Sequence, residues 1–168
     1  MIVQEKTRRD GTSYTEKNCR FCKSWIEFRI MGLPSITFSN WMPWTNRIKI
    51  SGIGKPGLYA LAHFVKPPST VDLQTQEIIY VGETCDQSLR QRWGQFHRCA
   101  FEGKKGHSGG ITYWKLFGGK TIDQLFVAGF PVDGLSDELS PLFIRYVKRK
   151  LILEYAVKWG IAPKCNLK

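Results

Sequence analysis

The sequence predicts an α+β fold: a small, mainly antiparallel three-stranded sheet with helices packed on it and an N-terminal arm. Two apolar segments, residues 57–65 and 77–83, have the length and composition of strands. The loop between them contains Pro67 and Pro68, so we expect an antiparallel hairpin with a long connection. A helical segment follows, and the element order predicted for the core is β-β-α-β-α.

The first predicted helix follows this hairpin and ends near Phe101. Its apolar side chains recur at helical spacing and form one stripe that is expected to be buried. They are Leu89, Trp93, Phe96 and Ala100. Asp86 or Ser88 can cap the helix, because a short polar side chain there accepts hydrogen bonds from the free N–H groups of the first turn.

One more strand and one more helix are predicted beyond the first helix. The glycine-rich residues 103–110 are expected to form a loop, and the apolar residues 122–132 a third strand. Ser140-Pro141 opens the last helix, since proline is favoured at the first helical position. Gly160 ends that helix.

Residues 1–52 differ in character from the rest and predict an arm or subdomain beside a larger domain at residues 53–168. Alternating apolar residues at 26–30 predict a strand, and residues 36–38 are a second short candidate. Prolines and a glycine interrupt the segment, so it is too broken to stand as a separate domain. Its tryptophans are expected to fill core or to reach bases, and core is the commoner use.

The composition favours a folded protein that binds a polyanion. The chain has 168 residues, 42% of them hydrophobic, a formal net charge of +11 and a pI near 9.6. A basic, aromatic-rich globule favours nucleic acid as a partner, and the alternative is a merely basic soluble protein. No run of about eighteen apolar residues and no apolar signal core are present, so a cytoplasmic protein without a membrane span is expected.

The five cysteines are expected to be reduced thiols, since nothing predicts export. Cys19 and Cys22 have the C-x-x-C spacing of half a structural zinc site. Such a site commonly uses two such pairs, and no second pair follows. Zinc at Cys19 and Cys22 is therefore the weaker of the two interpretations.

Two tripeptides, Gly57-Leu58-Tyr59 and Tyr80-Val81-Gly82, each place a tyrosine beside a glycine in a predicted strand. A buried phenol needs a hydrogen-bond partner, and the guanidinium of Arg92 on the next helix can fork onto phosphate oxygens. Together these groups predict a site that handles phosphate. The alternative is that Tyr59 and Tyr80 are ordinary half-buried strand aromatics.

These motifs resemble the GIY-YIG nuclease family over residues 57–168, with leucine and valine in place of the isoleucines of the family's name. The residues that match its pattern in chain order are Tyr59, Tyr80, Arg92, His107, Glu154 and Asn166. The resemblance implies an endonuclease that uses Mg²⁺ or Mn²⁺ to hydrolyse phosphodiester bonds in double-stranded DNA. It also implies products with 5′-phosphate and 3′-hydroxyl ends.

The resemblance further implies a role for each of these residues. Tyr59 would be the general base or its relay, and Tyr80 would orient the water or the scissile phosphate. Arg92 would stabilise the charge that builds on phosphorus, and Glu154 would hold one Mg²⁺. Asn166 would support the site through hydrogen bonds. His107 matches a loop histidine that some family members carry.

Glu154 is also unusual on the sequence itself, because it is the only acid between Leu139 and the C-terminus. The surrounding predicted helix is otherwise apolar and basic. A lone carboxylate there is either a surface ion-pair partner or a ligand for a hard cation, since Mg²⁺ often takes one or two protein carboxylates.

The chain departs from the family at the helix histidine. Many relatives carry a histidine four residues after the helix arginine, where this chain has Phe96 and places His97 one residue later. A role in the site and a plain interfacial position are equally compatible with His97. Other basic residues are candidate DNA contacts or solvated charges. They are Arg90, Lys104, Lys105, Lys6, Arg8 and Arg9.

Among the classes in this family, a compact chain without a separate DNA-binding domain is most similar to type II restriction endonucleases. Such an enzyme would belong to a restriction system and would form a homodimer on a palindromic site. The alternatives are a phage, mobile-element or structure-specific nuclease of the same family, or a non-catalytic nucleic-acid-binding module.

Overall fold

The computed structural model describes residues 6–7, 13–14, 33–119 and 121–166. The chain divides into two compact units, Met1–Ser35 and Ile36–Lys168. In the first unit, β1 (Lys6–Thr7) pairs antiparallel with β2 (Ser13–Tyr14). The strand predicted at residues 26–30 and the candidate residues Arg8, Arg9, Cys19 and Cys22 lie outside the described residues.

The second unit contains an antiparallel four-stranded sheet with the order β3-β6-β4-β5. Its strands are β3 (Met42–Pro43), β4 (Gly57–His63), β5 (Ile78–Thr84) and β6 (Leu125–Pro131). The predicted α+β class is confirmed, but the predicted sheet of three strands lacked β3. This strand lies at an edge of the sheet, where a proline is tolerated because one side of the strand needs no partner.

Three α-helices accompany the sheet in the described residues: α1 (Leu89–Glu102), α2 (Ser108–Phe117) and α3 (Leu139–Trp159). Ser88 caps α1, accepting from the backbone N–H of Gln91 while the Gln91 side chain accepts from the N–H of Ser88. The predicted order β-β-α-β-α lacked α2, and the expected loop at residues 103–110 was wrong in its last part, since α2 begins at Ser108. None of the helices in these described segments is long and apolar enough to cross a membrane.

The sheet separates two hydrophobic clusters, as the alternation of side chains along β4 requires. Leu58 and Ala60 belong to the cluster that includes Val147 of α3. Tyr59 belongs to the cluster on the other face, which includes Trp93 of α1. The candidate tyrosines therefore face α1 and α2, and α3 covers the opposite face of the sheet.

The segment before β4 is part of this core. Trp41 and Trp44 are buried, the latter completely, so the second unit begins well before the predicted division after residue 52. Residues 36–38 do not form the predicted strand. Instead the ring of Phe38 packs against Phe130 of β6, with centroids 5.6 Å apart.

Candidate active site

Tyr59 and Tyr80 lie on the same face of neighbouring strands. Tyr59 is opposite Gly82 and Tyr80 is opposite Leu61 in the β4–β5 register, and the two phenol rings have centroids 5.9 Å apart. The ring of Tyr59 covers Gly82, where an added Cβ would lie 2.2 Å from Cζ of the tyrosine. The glycine of the second tripeptide thus leaves the space that the tyrosine of the first one fills.

His107 forms a hydrogen bond to the Tyr59 hydroxyl, and the partners of its two ring nitrogens define which nitrogen carries the proton. Its Nε2 lies 2.8 Å from the Tyr59 hydroxyl, and its Nδ1 accepts from the backbone N–H of Gly110 at the start of α2. Burial and then the charge of Arg92 lower the pKa of His107 to about 3, so the ring is neutral near pH 7. Because Nδ1 is an acceptor, the one ring proton is on Nε2 and is donated to the phenolic oxygen.

Burial dominates the electrostatics of the two phenols. It raises the pKa of Tyr59 well above its usual value, and the nearby Tyr80 raises it further, while the charge of Arg92 acts in the opposite direction. Burial likewise raises the pKa of Tyr80, again opposed by Arg92. Arg92 is therefore the cation that favours a phenolate in this cluster.

Arg92 is held by amide side chains and has a donor to spare. Its Nη1 donates to Oε1 of Gln95 over 2.9 Å, and Nε2 of Gln95 donates to Oε1 of Gln87 over 2.8 Å. The Nε of Arg92 is buried and has no hydrogen-bond partner among the described residues. A buried donor without a partner is costly, so this Nε contributes nothing to holding the guanidinium in place.

Asn166 holds the strand that carries Tyr80. Its Oδ1 accepts from the N–H of Val81 over 2.8 Å, and its Nδ2 donates to the carbonyl of Val81 over 2.9 Å. The N–H of Cys165 donates to the carbonyl of Ile79 over 2.8 Å. The C-terminal segment thereby satisfies the free edge of β5 at Ile79 and Val81 and fixes the position of the tyrosine between them.

Glu154 lies on α3, and both of its carboxylate oxygens have partners. One of its carboxylate oxygens pairs with Lys150, one turn earlier on the same helix. The other oxygen accepts from Nε2 of Gln74, in the loop before β5, at 3.5 Å. Both oxygens are thus engaged by residues outside the tyrosine cluster, and the metal-binding role of Glu154 stays a prediction.

Sequence reasoning missed an ion pair that borders the cluster. Nζ of Lys148 in α3 lies 3.2 Å from Oε1 of Glu83, which directly follows Gly82 in β5. The charge of Glu83 contributes to raising the pKa of Tyr80, and the charge of Lys148 contributes to lowering the pKa of His107. The sequence did contain a signal for this ion pair: Glu83 is an acid in an otherwise apolar strand, next to the second tripeptide.

The remaining candidates lie on the surface around α1. His97 accepts at Nδ1 from the indole N–H of Trp44 over 3.2 Å, which ties it to the core. Lys104 pairs with Glu102 at 3.0 Å, and Lys105 and Arg90 are exposed. Of Lys6 only the strand assignment is described.

Any metal ion bound by the described residues would have few protein ligands. Within residues 33–119 and 121–166 and the two short strands before them, no group of three or more His, Cys, Asp or Glu could hold a metal ion. Mg²⁺ is compatible with this, since it often binds one or two carboxylates, with water and substrate phosphate completing its shell.

No protein-family model, no curated protein and no solved structure matches this chain. The likeness to the GIY-YIG nucleases therefore depends only on the order of matching residues in the sequence.

Proposed function

We propose that this chain is a metal-dependent endonuclease of double-stranded DNA that resembles the GIY-YIG nucleases. The observation that supports this most is the hydrogen bond from His107 to the Tyr59 hydroxyl, 2.8 Å long, in a cluster that also contains Tyr80 and Arg92. A module that only bound nucleic acid would not need a buried phenol held by a neutral imidazole beside a guanidinium with a spare donor.

In the proposed reaction a water molecule attacks phosphorus, and the bond from phosphorus to the 3′-oxygen breaks. Tyr59 acts as a proton relay: its oxygen takes a proton from the water while its own hydroxyl proton passes to the oxygen of Tyr80, which releases its proton to solvent. A full phenolate is costly here because burial raises the pKa of Tyr59. The donation from His107 and the charge of Arg92 lower the cost of the partial negative charge on the phenolic oxygen. The departing 3′-oxygen takes up a proton and becomes the hydroxyl end.

Arg92 binds the phosphate in this scheme. Gln95 holds one end of its guanidinium, which leaves other terminal N–H groups for phosphate oxygens. These contacts strengthen as negative charge builds in the transition state. A bound Mg²⁺ would polarise the phosphate and stabilise the leaving oxygen. The resemblance assigns this ion to Glu154.

The finer part of the proposal is a type II-like restriction endonuclease that cuts as a homodimer on a palindromic site. The net charge of +11 supports strong, salt-sensitive contact with DNA phosphates. Exposed Arg90, Lys104 and Lys105 would supply part of that contact, and Lys6, Arg8 and Arg9 a further part. A nuclease of phage or mobile-element origin differs from this in its substrate and not in its chemistry.

The test is cleavage of supercoiled plasmid by the full chain with Mg²⁺, with Mn²⁺ and with a chelator. We expect nicked or linear product only when a divalent ion is present. Discrete fragments from a linear substrate would support sequence specificity, and a smear would contradict it. A shift of DNA mobility in a gel without cleavage under any ion would overturn the nuclease proposal and favour a binding module.

A further inference from the structure

The outer face of α1, opposite its buried stripe, is polar and lacks carboxylates. A surface groove of about 500 Å³ lies along this face, and its lining includes Gln87, Gln91, Gly94 and Gln95. The helix has no acid before its last residue, Glu102, and in α1, which the structure describes in full, no large apolar side chain is exposed. Exposed apolar patches are what usually mark a surface for a protein partner. Amide and guanidinium groups are the ones that contact DNA, so this face fits a nucleic acid better than a protein.

Gly94 lies in the middle of this face without a structural need for glycine. No packed atom of the described residues lies within 4 Å of a Cβ added there, and its φ is not positive. Glycine inside a helix is less favourable than alanine, so this position costs the helix stability. A glycine at such a place fits the close approach of another molecule to the backbone of α1.

Gln91 offers hydrogen-bond donors to a ligand and no acceptor. Its Oε1 accepts from the backbone N–H and from the hydroxyl of Ser88, each over 3.0 Å, which completes the cap of α1. Both lone pairs of that oxygen are thus used, while its Nε2 has no hydrogen-bond partner among the described residues. In the major groove of DNA, guanine is the base that presents two neighbouring acceptors, N7 and O6.

The groove is continuous with the proposed phosphate site. Gln95 exchanges two hydrogen bonds with Gln87, of 2.8 and 3.3 Å, and its Oε1 also accepts from Nη1 of Arg92. Helical geometry places Arg92 and the exposed Arg90 on either side of Gln91. Phosphate contacts from these two arginines would fix the register of a duplex, and a base contact between them would supply specificity.

We infer that the outer face of α1 lies in the major groove of duplex DNA and that Gln91 donates from Nε2 to N7 and O6 of one guanine. The inference rests on the proposed nuclease function for its purpose, since a base read beside Arg92 would determine which phosphate is cut. The major groove is about 12 Å wide and admits an α-helix. Gly94 lets the backbone of α1 come close to the base edges.

Binding of the full chain to short duplexes of random sequence, in the presence of a chelator, tests the inference without cleavage. Sequencing of the bound duplexes should show a guanine preference for the wild type. Gln91→Glu keeps the cap, because glutamate accepts from Ser88 as glutamine does, but it has no donor. This variant should reduce the guanine preference at least about tenfold and favour cytosine, whose N4 amino group is a donor. A wild type without base preference, or an unchanged guanine preference in Gln91→Glu, would overturn the inference.

Two further variants separate the base contact from charge and from folding. Gln124→Glu adds the same charge at an exposed glutamine directly before β6 and should keep the guanine preference. An equal change in both glutamate variants would show that charge alone is responsible, which contradicts the inference. Gly94→Leu fills the groove, so the affinity for DNA should fall at least about tenfold while the melting temperature stays or rises. Wild-type affinity in Gly94→Leu would also overturn it.

Plasmid cleavage by the same proteins separates this inference from the nuclease proposal. If the guanine preference depends on Gln91 and the wild type cleaves no DNA with any ion, the reading face stands and the nuclease function fails. If the wild type cleaves and Gln91→Glu cuts the same sequences at the same rate, the nuclease function stands and the reading face fails.

Discussion

The imidazole of His107 donates from Nε2 to the phenolic oxygen of Tyr59 over 2.8 Å, and it does so as a neutral ring. The start of α2 sets this arrangement, because the N–H of Gly110 occupies Nδ1. His107 therefore cannot take the Tyr59 proton through Nε2 without first losing its own. It acts on Tyr59 by holding the oxygen in place and by stabilising negative charge on it.

Tyr59→Phe should lower the cleavage rate by about 100-fold or more, the usual contribution of a positioned proton-transfer group. DNA affinity in the same variant should stay near that of the wild type. The loss of the hydroxyl also leaves the N–H of His107 unpaired, at a cost of about 1–3 kcal/mol in the free energy of unfolding. Single-turnover cleavage and urea unfolding measure the two effects.

The matched control is Tyr113→Phe. The Tyr113 hydroxyl is also buried, and it bonds to His63 and Thr121 away from the Tyr59 cluster. This variant should lose similar stability and keep its cleavage rate. Equal cleavage by Tyr59→Phe and Tyr113→Phe would remove Tyr59 from the reaction.

The free energy of unfolding should decrease as the pH falls below about 6.5, because of His107. Burial, with the charge of Arg92 added, lowers its pKa from 6.5 to about 3 in the folded chain. Between these values the unfolded chain takes up a proton that the folded chain does not. The stabilisation is thus fully present above pH 6.5 and is lost as the pH falls, by up to about 1.4 kcal/mol per pH unit.

Urea unfolding between pH 7 and pH 4 checks this when the wild type is compared with His107→Gln. The variant should lose this part of the pH dependence. His97→Gln is the control, because His97 is only half-buried, its pKa is lowered mainly by that burial, and its variant should change the slope less. Equal slopes for the wild type and His107→Gln would show that this imidazole is not held neutral.

Gly82→Ala should displace the Tyr59 ring, since the new Cβ would lie 2.2 Å from Cζ. Overpacking of this kind typically costs about 1–3 kcal/mol, and cleavage should fall together with stability. Gly94→Ala in α1 is the control, because no heavy atom lies within 4 Å of its added Cβ. It should stabilise the helix by about 0.5–1 kcal/mol. Thermal unfolding of both variants measures this, and a neutral Gly82→Ala would contradict the close approach.

The elements that sequence patterns located well are those that local chemistry determines. The strands β4 and β5 are continuous apolar runs, and α1 combines an apolar stripe with a serine cap. Their observed bounds differ from the predicted ones by few residues. The last helix was found for the same reason, since Gly160 adopts the left-handed conformation that ends it.

What the sequence did not predict depends on tertiary contacts. Gly109 and Gly110 pointed to a loop, yet a Cβ at Gly109 would lie 2.5 Å from the Tyr80 ring, and one at Gly110 would lie 2.7 Å from Cβ of Cys99. Packing therefore requires glycine inside α2, against its helix propensity. The partner of Glu83 was likewise not predictable, because Lys148 lies on another element and the fold brings the two charges together.

Arg92→Lys should separate charge from geometry at the phosphate. Lysine keeps the positive charge, so DNA affinity and the slope of log affinity against log salt concentration should stay unchanged. Lysine lacks the planar guanidinium, which can donate to Gln95 and to phosphate at the same time, so cleavage should fall about 100-fold or more.

Arg98→Lys, at an exposed arginine on the same helix, is the control and should change neither quantity. Filter binding over a range of salt concentrations and single-turnover cleavage measure the two effects. Wild-type cleavage by Arg92→Lys would show that Arg92 contributes only charge, and a reduced salt slope would show that lysine cannot replace its contact with the DNA backbone.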